Sequence, residues 1–151
     1  MSYHILGQLA GEVHSREGIY CLPDIVVDVC SDVNLIPEGV AKKLGLVYSH
    51  TNVFNFRTPT GEQVPIQYYT YFLLMIAGVT MKVRAYIIPK VVITTFPLLL
   101  GLNWMNEVHD DLQHLSLVCR LGGYETLIKG VRKRHKSAKK KVVVMCYGSS
   151  N

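Results

Sequence analysis

Asp28 is the residue of this chain best placed to do chemistry. It follows the apolar run Ile25, Val26 and Val27 and precedes the mostly polar segment 30–34. A run of β-branched residues is typical of a strand buried on both faces, so Asp28 is expected at the edge of the core rather than on a solvated loop. Burying a carboxylate is costly unless another group pairs with it. Because the chain is too short for two lobes, the spacing suggests that the partner is Asp28 of a second copy.

A pair of carboxylates supplies acid–base chemistry. Two of them about 3 Å apart cannot both ionise, so they share a proton. The ionised one takes a proton from a water molecule that attacks a peptide carbonyl, and the protonated one donates to the carbonyl oxygen. Such a pair titrates as a unit and works at acid to neutral pH. The chemistry indicated is peptide-bond hydrolysis by a symmetric homodimer, and a monomer is expected to be inactive.

The composition suits one packed domain followed by a basic tail. Of the 151 residues, 49% are hydrophobic and 18% are charged, and a chain of this length buries about two-thirds of its unfolded surface. All 11 acidic residues fall within residues 1–128, whereas residues 129–141 hold half of the 16 Lys and Arg residues and no acid. We expect a folded domain at 1–128 and a disordered tail or linker at 129–151. The basic run 129–141 favours weak nonspecific contact with nucleic acid.

Targeting and metal-binding signals are not apparent in the sequence. Residues 1–4 lack the basic start of a signal peptide, and the most apolar stretch, residues 68–79, is too short to span a bilayer. The four cysteines and six histidines are widely spaced, without the pairs that bind zinc. We expect a protein inside the cell, cytoplasmic or nuclear and not secreted, that has no membrane partner and needs no metal or cofactor.

Alternating apolar residues and turn signals predict an all-β protein with one or two short helices. A hairpin with its turn at residues 15–17 should precede the Asp28 segment, and a helix should start at Pro37 and end at Gly45. The remaining predicted elements are strands at 52–57, 64–68, 69–75, 81–87 and 97–101, a helix at 102–108 and a final hairpin at 114–128.

Three blocks of sequence, in order, resemble a known family. Residues 27–36 have the sequence VDVCSDVNLI, residues 37–46 form the first predicted helix, and residues 96–105 have the sequence FPLLLGLNWM. Over roughly residues 1–128, the chain is similar to a retropepsin, the single-lobed aspartic protease of retroviruses and long-terminal-repeat retrotransposons. The form found in plant retroelement polyproteins is the one it resembles most.

The resemblance implies a fold, a partner and a set of site residues. The fold would be a closed β-barrel, active as a homodimer that cleaves a peptide or polyprotein substrate with Asp28 of each copy as the catalytic residue. Asn103 would support the active-site loop, although Asn103 and Asn34 are expected to hydrogen-bond locally rather than to touch substrate. The other implied residues belong to the active-site loop (Val29, Cys30, Ser31, Asp32), to the flap that closes over bound peptide (Thr58, Pro59, Thr60, Gly61) and to the support of the loop (Gly101).

The chain departs from the family pattern at three positions. Val29 stands where the family has Thr or Ser, whose hydroxyl crosses the dimer interface and ties the two loops together. Cys30 stands where the family has Gly, which lets the backbone lie close to the carboxylates and to substrate. Leu102 stands where the family has an Arg that pairs with the carboxylate at the position of Asp32. These differences place the catalytic activity, more than the fold, in question.

Three functional hypotheses stay open. The first, which we prefer, is a homodimeric aspartic endopeptidase domain that works without a metal. The second is a retropepsin-like binding or dimerisation module that keeps the fold but has lost catalysis through Val29 and Cys30. The third is a β-rich domain tethered to nucleic acid by residues 129–141, in which Asp28 is only a turn residue. A cysteine-protease mechanism at Cys30 is disfavoured because no histidine lies near it in sequence.

Overall fold

Strands dominate the computed structural model of the chain, which describes residues 5–28, 30–58, 60–76 and 78–110. The strands of this part are β1 (Ile5–Ser15), β2 (Gly18–Asp28), β3 (Asn34–Pro37), β4 (Ser49–Arg57), β5 (Gln63–Ile76), β6 (Val79–Ile88) and β7 (Leu99–Leu100), and its helices are α1 (Glu38–Lys43) and α2 (Leu102–Asp110). The predicted class, mostly β with two short helices, is confirmed. The hairpin predicted at 114–128 and the tail predicted at 129–151 lie outside the described residues.

Six strands close into a barrel because β1 pairs with two neighbours. It runs antiparallel to β2 along most of its length, and its residues 12–14 also lie opposite residues 73–75 of β5. The strand order β1-β2-β7-β3-β6-β5 thereby returns to β1, while β4 is attached outside this ring, at β5. Closure satisfies the edges that an open sheet would expose. The predicted closed β-barrel is confirmed, and the β4–β5 hairpin projects from it.

The hairpin strand β5 is longer than the sequence predicts. It is one strand of 14 residues, whereas the sequence analysis separates 64–68 from 69–75. Its even-numbered positions are buried, apart from the partly buried Tyr68, through Val64, Ile66, Thr70 and further to Ile76. Since no turn residue interrupts this alternation, the same strand pairs with β4 at its start and with β6 at its end. On β6, residues 83, 85 and 87 are buried and Met81 is partly buried, so these alternating residues form the inward face.

The predicted helices are present, with one difference at the start of α1. Pro37 is the N-cap residue, with an extended ψ of 143°, rather than the first helical residue, because it is also the last residue of β3. Gly45 follows the helix with φ of +67°, the left-handed conformation typical of a helix end. Trp104 and Met105 of α2 are buried. Neither α1 nor α2 is long and apolar enough to cross a membrane, which holds for the described part of the chain.

The apolar core has two parts. The larger cluster combines the inside of the barrel with the buried side of α2, including Trp104, Met105 and Val108. The smaller cluster joins residues beside the Asp28 loop to residues of the β4–β5 hairpin close to its turn, and it consists of Val26, Val33, Leu35, Phe56, Val64, Ile66, Ile88, Phe96 and Leu99. Because the two regions share one packed cluster, the loop and the hairpin are held on a common support.

Candidate active site

Asp28 ends β2 and starts a tight turn. The side chain is 0% exposed, and its Oδ1 accepts a hydrogen bond of 2.8 Å from the backbone amide of Cys30. The amide of Ser31 donates to the carbonyl oxygen of Asp28 at 3.4 Å. The chain therefore folds back over the carboxylate at once, and a backbone donor fixes the position of one of its oxygens.

The loop after Asp28 is held by the start of α2. The amide of Leu102 donates to the carbonyl oxygen of Ser31 at 2.7 Å, and the amide of Asn103 donates to that of Asp32 at 3.3 Å. These amides belong to the first turn of the helix, where N–H groups have no partner within the helix. The loop carbonyls supply those partners. The hydroxyl of Ser31 also donates to the carbonyl oxygen of Val33 at 2.7 Å, inside the loop.

Strand β7 lies between the two strands that the loop connects. Leu99 is the register partner of Val26 in the parallel pairing with β2 and of Leu35 in the antiparallel pairing with β3. The amide of Val26 also donates to the carbonyl oxygen of Leu98 at 3.0 Å. The strands β2 and β3 are thus kept apart by β7, and the loop that carries Asp28 spans the gap between them. A loop tied to backbone at both ends and to a helix at its middle has little freedom to move.

Gly101 is required where β7 meets α2. A Cβ at this position would collide with the backbone carbonyl oxygens of Ser31 and Val33. These are backbone atoms of the loop, so they cannot turn aside as the end of a flexible side chain can. The sequence analysis assigns Gly101 to the support of the loop on resemblance alone, and the structure places it in contact with that loop.

Asn34 has a larger structural role than the sequence analysis assigns to it. Its side chain is 3% exposed; its Nδ2 donates to the carbonyl oxygen of Arg84 at 3.0 Å, and its Oδ1 accepts from the amide of Gly101 at 2.9 Å. The expectation of a local hydrogen bond was wrong, because these partners lie 50 and 67 residues away in sequence. The available signal was an amide between Val33 and Leu35 in a buried segment, since buried polar groups need partners.

Asn103 and Asp32 contribute to the loop through their backbones. The Asn103 side chain is exposed, and its amide makes the contact with Asp32. Leu102 is 5% exposed and packs into the larger core cluster. The hydrogen bonds from the amides of Leu102 and Asn103 thus join α2 to the loop through main-chain atoms.

The backbone at Cys30 is compatible with any L-residue. Among the described residues, Asp24 is the one residue other than glycine with positive φ, at 59°. Cys30 therefore adopts its turn without the left-handed conformation that would call for glycine. Its side chain is partly buried. The Cys30 side chain therefore fits this turn without backbone strain. Val29 lies outside the described residues.

The segment predicted as a flap is the exposed end of the β4–β5 hairpin. The amide of Thr58 donates to the carbonyl oxygen of Glu62 at 2.8 Å, and the amide of Gly61 donates to that of Thr58 at 2.9 Å. Gly61 has φ of +91°, and the hydroxyls of Thr58 and Thr60 are 3.0 Å apart. Pro59 lies outside the described residues. These hydrogen bonds hold the turn. Directly beside it, Phe56 and Val64 lie opposite each other in the register and pack in the smaller core cluster with the strands of the Asp28 loop.

Neither metal-binding groups among the described residues nor matches to known proteins indicate a function. Within the described residues, no group of three or more His, Cys, Asp or Glu side chains is arranged to hold a metal ion. The chain matches no protein-family model, and no curated protein matches it. The resemblance to retropepsins rests on the three sequence blocks alone.

Proposed function

We propose that this chain is a retropepsin-like aspartic endopeptidase domain that cleaves peptide bonds, as in the processing of a retroelement polyprotein, when two copies associate. The observation that carries the proposal is the frame around Asp28. The carboxylate is buried at the end of β2, accepts an amide hydrogen bond, and lies in a loop tied to β7 and α2. A catalytic carboxylate needs such preorganisation, because its position must hold while charge develops in the transition state.

Two copies are required because the loop supplies one buried carboxylate. With Asp28 of a second copy about 3 Å away, the pair shares a proton. The ionised carboxylate takes a proton from water as its oxygen attacks the carbonyl carbon, and the protonated carboxylate donates to the carbonyl oxygen. The resulting gem-diol collapses when a proton is transferred to the leaving nitrogen and the C–N bond breaks. The amide of Cys30 holds Oδ1 of its own Asp28 in place.

Exposed apolar residues near the hairpin favour a peptide substrate. Val91 and Ile93, on the segment between β6 and β7, are 85% and 94% exposed. Val91 also lines a cavity of about 260 Å³ together with Pro65 and Tyr68 of β5. Exposed apolar side chains beside a cavity form a candidate surface for apolar groups of a substrate. We infer that substrate side chains pack against this segment when the Thr58–Gly61 tip closes over the peptide.

A second candidate function is a dimerisation or binding module without catalysis. The observation that favours it is the complete burial of Asp28 within one chain. A second carboxylate and a water molecule reach this group only after atoms that cover it move. The partly buried thiol of Cys30 stands in the same turn, where the family has no side chain at all. In this module the amide hydrogen bond to Asp28 would shape the turn and do nothing more.

Cleavage assays with a matched pair of variants distinguish the two functions. The purified full chain is incubated with a mixed peptide library from about pH 4 to pH 7, at a concentration where sedimentation shows dimer. Asp28→Asn keeps the shape of the side chain and its acceptor for the Cys30 amide. Asp24→Asn is the control, because Asp24 is an exposed aspartate of the same strand whose positive φ asparagine tolerates.

The endopeptidase proposal predicts cleavage that Asp28→Asn abolishes, that Asp24→Asn retains, and that a statine-type inhibitor blocks. A dimer that cleaves nothing at any of these pH values would overturn the proposal and support the binding module. Cleavage that survives in Asp28→Asn would show a different catalytic group or a contaminating protease.

A further inference from the structure

The outer face of β5 and β6 carries an alternating set of aromatic and cationic side chains. The register places Tyr69 opposite Tyr86, Tyr71 opposite Arg84, and Leu73 opposite Lys82, so these side chains share one face of the sheet. It is the face opposite the buried Thr70, Phe72, Val83 and Ala85, and Tyr71 is 46% exposed. Nothing in the proposed peptide-cleavage mechanism uses this face.

Cation–π contacts order these side chains. The ammonium group of Lys82 lies 4.6 Å from the centroid of the Tyr71 ring. The guanidinium of Arg84 lies 5.8 Å from the ring of Tyr69 and 5.3 Å from that of Tyr86. Such contacts hold two flexible cations at fixed places against rings. Because residues 82 and 84 are two apart on one strand, their stems start about 7 Å apart, a separation comparable to that of successive phosphates in an extended single strand.

Two cavities meet at Tyr71 and Lys82. One, of about 460 Å³, is also lined by Arg84 and by polar residues of α2, among them Asn103 and Asn106. The other, of about 390 Å³, continues past Leu73 to Arg16 in the β1–β2 turn. Each has the volume of a small-ligand site. We name the residues Arg16, Tyr71, Lys82 and Arg84 the outer track. It combines three cations, an exposed ring, and neighbouring amides that can hydrogen-bond to base edges.

We propose that the outer track binds single-stranded nucleic acid, with a base stacked on Tyr71 and phosphates at Lys82 and Arg84. The chemistry matches in both respects, since single strands bind where a cationic groove follows the backbone and aromatic rings accept the bases. The contact is separate from the basic run 129–141, which has no aromatic residues between its lysines. Glu107 is the one acidic residue among the described residues that line the two cavities, and its carboxylate would repel a phosphate.

The test measures binding of fluorescein-labelled oligo(U) and oligo(dT), each about 10 nucleotides long, by anisotropy with the full chain. Lys82→Gln/Arg84→Gln is compared with Lys42→Gln/Lys43→Gln, which removes the same charge from exposed positions of α1. Since each phosphate contact to a single strand contributes about 0.7 to the slope of log K against log salt, the first pair should lower that slope by about 1.4 relative to the control pair. The contribution of residues 129–141 is common to both and cancels.

Three further variants test the site without removing basic charge. Tyr71→Leu should weaken binding about fivefold or more through lost stacking, whereas Tyr71→Phe should restore most of it. Glu107→Gln should tighten binding. Circular dichroism confirms that each variant is folded. Equal binding of oligo(U) and oligo(dT) supports a site that recognises bases and phosphates, and preference for oligo(U) supports one that also contacts the ribose hydroxyl.

The proposal is overturned if the two double variants show the same salt slope, or if Tyr71→Leu binds as tightly as Tyr71→Phe. Displacement of the oligonucleotides by polyaspartate at equal charge concentration would also overturn it, because the track would then take acidic protein segments as readily as nucleic acid.

Discussion

Replacement of Asn34 by leucine should loosen the frame around the candidate catalytic residue. The side chain joins the amide of Gly101, in a buried hydrogen bond of 2.9 Å, to the carbonyl oxygen of Arg84, in a partly buried one of 3.0 Å. Leucine is similar in size and leaves both groups without this partner. An unsatisfied buried polar group costs about 1–3 kcal/mol. We assign the upper part of that range to the amide of Gly101, which is buried, and the lower part to the carbonyl oxygen of Arg84, whose hydrogen bond is only partly buried.

The expected net loss of stability for Asn34→Leu is about 2–3 kcal/mol, because added apolar surface offsets roughly 1 kcal/mol. With a urea m-value of about 1–3 kcal/mol/M, the midpoint should fall by about 1–2 M. Trp104 is the single tryptophan of the chain and is 3% exposed, so its fluorescence follows unfolding next to the loop. Asn103→Ala is the control, since the Asn103 side chain is exposed and contributes only its backbone amide here.

A loss below about 0.5 kcal/mol for Asn34→Leu, within the range of ordinary surface substitutions, would refute this reasoning. It would mean that water or a shifted side chain satisfies Gly101 and Arg84 equally well, and that the loop does not depend on Asn34. A loss of similar size in Asn103→Ala would refute it in another way, by showing that exposed amides of this region matter as much as the buried one.

Three further predictions concern a glycine pair, a carboxyl and the thiol. Gly101→Ala should destabilise the fold by about 1–3 kcal/mol through overpacking against loop carbonyls, whereas Gly39→Ala, in open space on α1, should stabilise it by about 0.5–1 kcal/mol; urea titration measures both. Burial raises the pKa of Glu107, so the folded state penalises its charged form. Glu107→Gln should therefore raise the melting temperature at pH 7. The difference in melting temperature between the variant and the native chain should disappear at acid pH, where the native carboxyl is protonated. Cys30→Gly should raise kcat/KM for peptide cleavage about tenfold or more by freeing space beside Asp28; unchanged cleavage would show that the thiol does not crowd the site.

Local sequence patterns were sufficient for most of the elements. The β-branched run before Asp28 predicts β2, and the clean alternation from Met81 to Ile87 predicts the inward face of β6, because burial on a strand follows a period of two residues. Gly45 marks the end of α1 through its left-handed conformation. These features depend on neighbours in sequence, so a single chain is enough to find them.

The support of the Asp28 loop could not be predicted in the same way. Strand β7 has two residues, and its place between β2 and β3 depends on pairings across more than 60 residues, as between Leu35 and Leu99. The role of Asn34 in supporting the loop is recognised only in the folded structure, where Gly101 and Arg84 lie near it. A local sequence pattern does not identify hydrogen-bond partners that are distant in sequence. The complete burial of Asp28 also depends on the packed whole, whereas the sequence indicated only the edge of a core.

The fold is compatible with an active protease and with an inactive module, but an active protease requires two Asp28 carboxylates that share a proton. The hydrogen bond to Asp28 comes from a backbone amide, and Cys30 adopts a conformation open to any L-residue, so the frame survives whether or not catalysis does. If two Asp28 carboxylates meet in the dimer, one must keep its proton there, so dimerisation raises the pKa of one of them. The dimer then binds more protons than two monomers do, and by linkage its association weakens as the pH rises through that raised pKa. Sedimentation of the native chain should show this weakening, and Asp28→Asn, which has no proton to share, should associate with little dependence on pH. A native dimer whose association is as independent of pH as that of Asp28→Asn would show that the two carboxylates never meet.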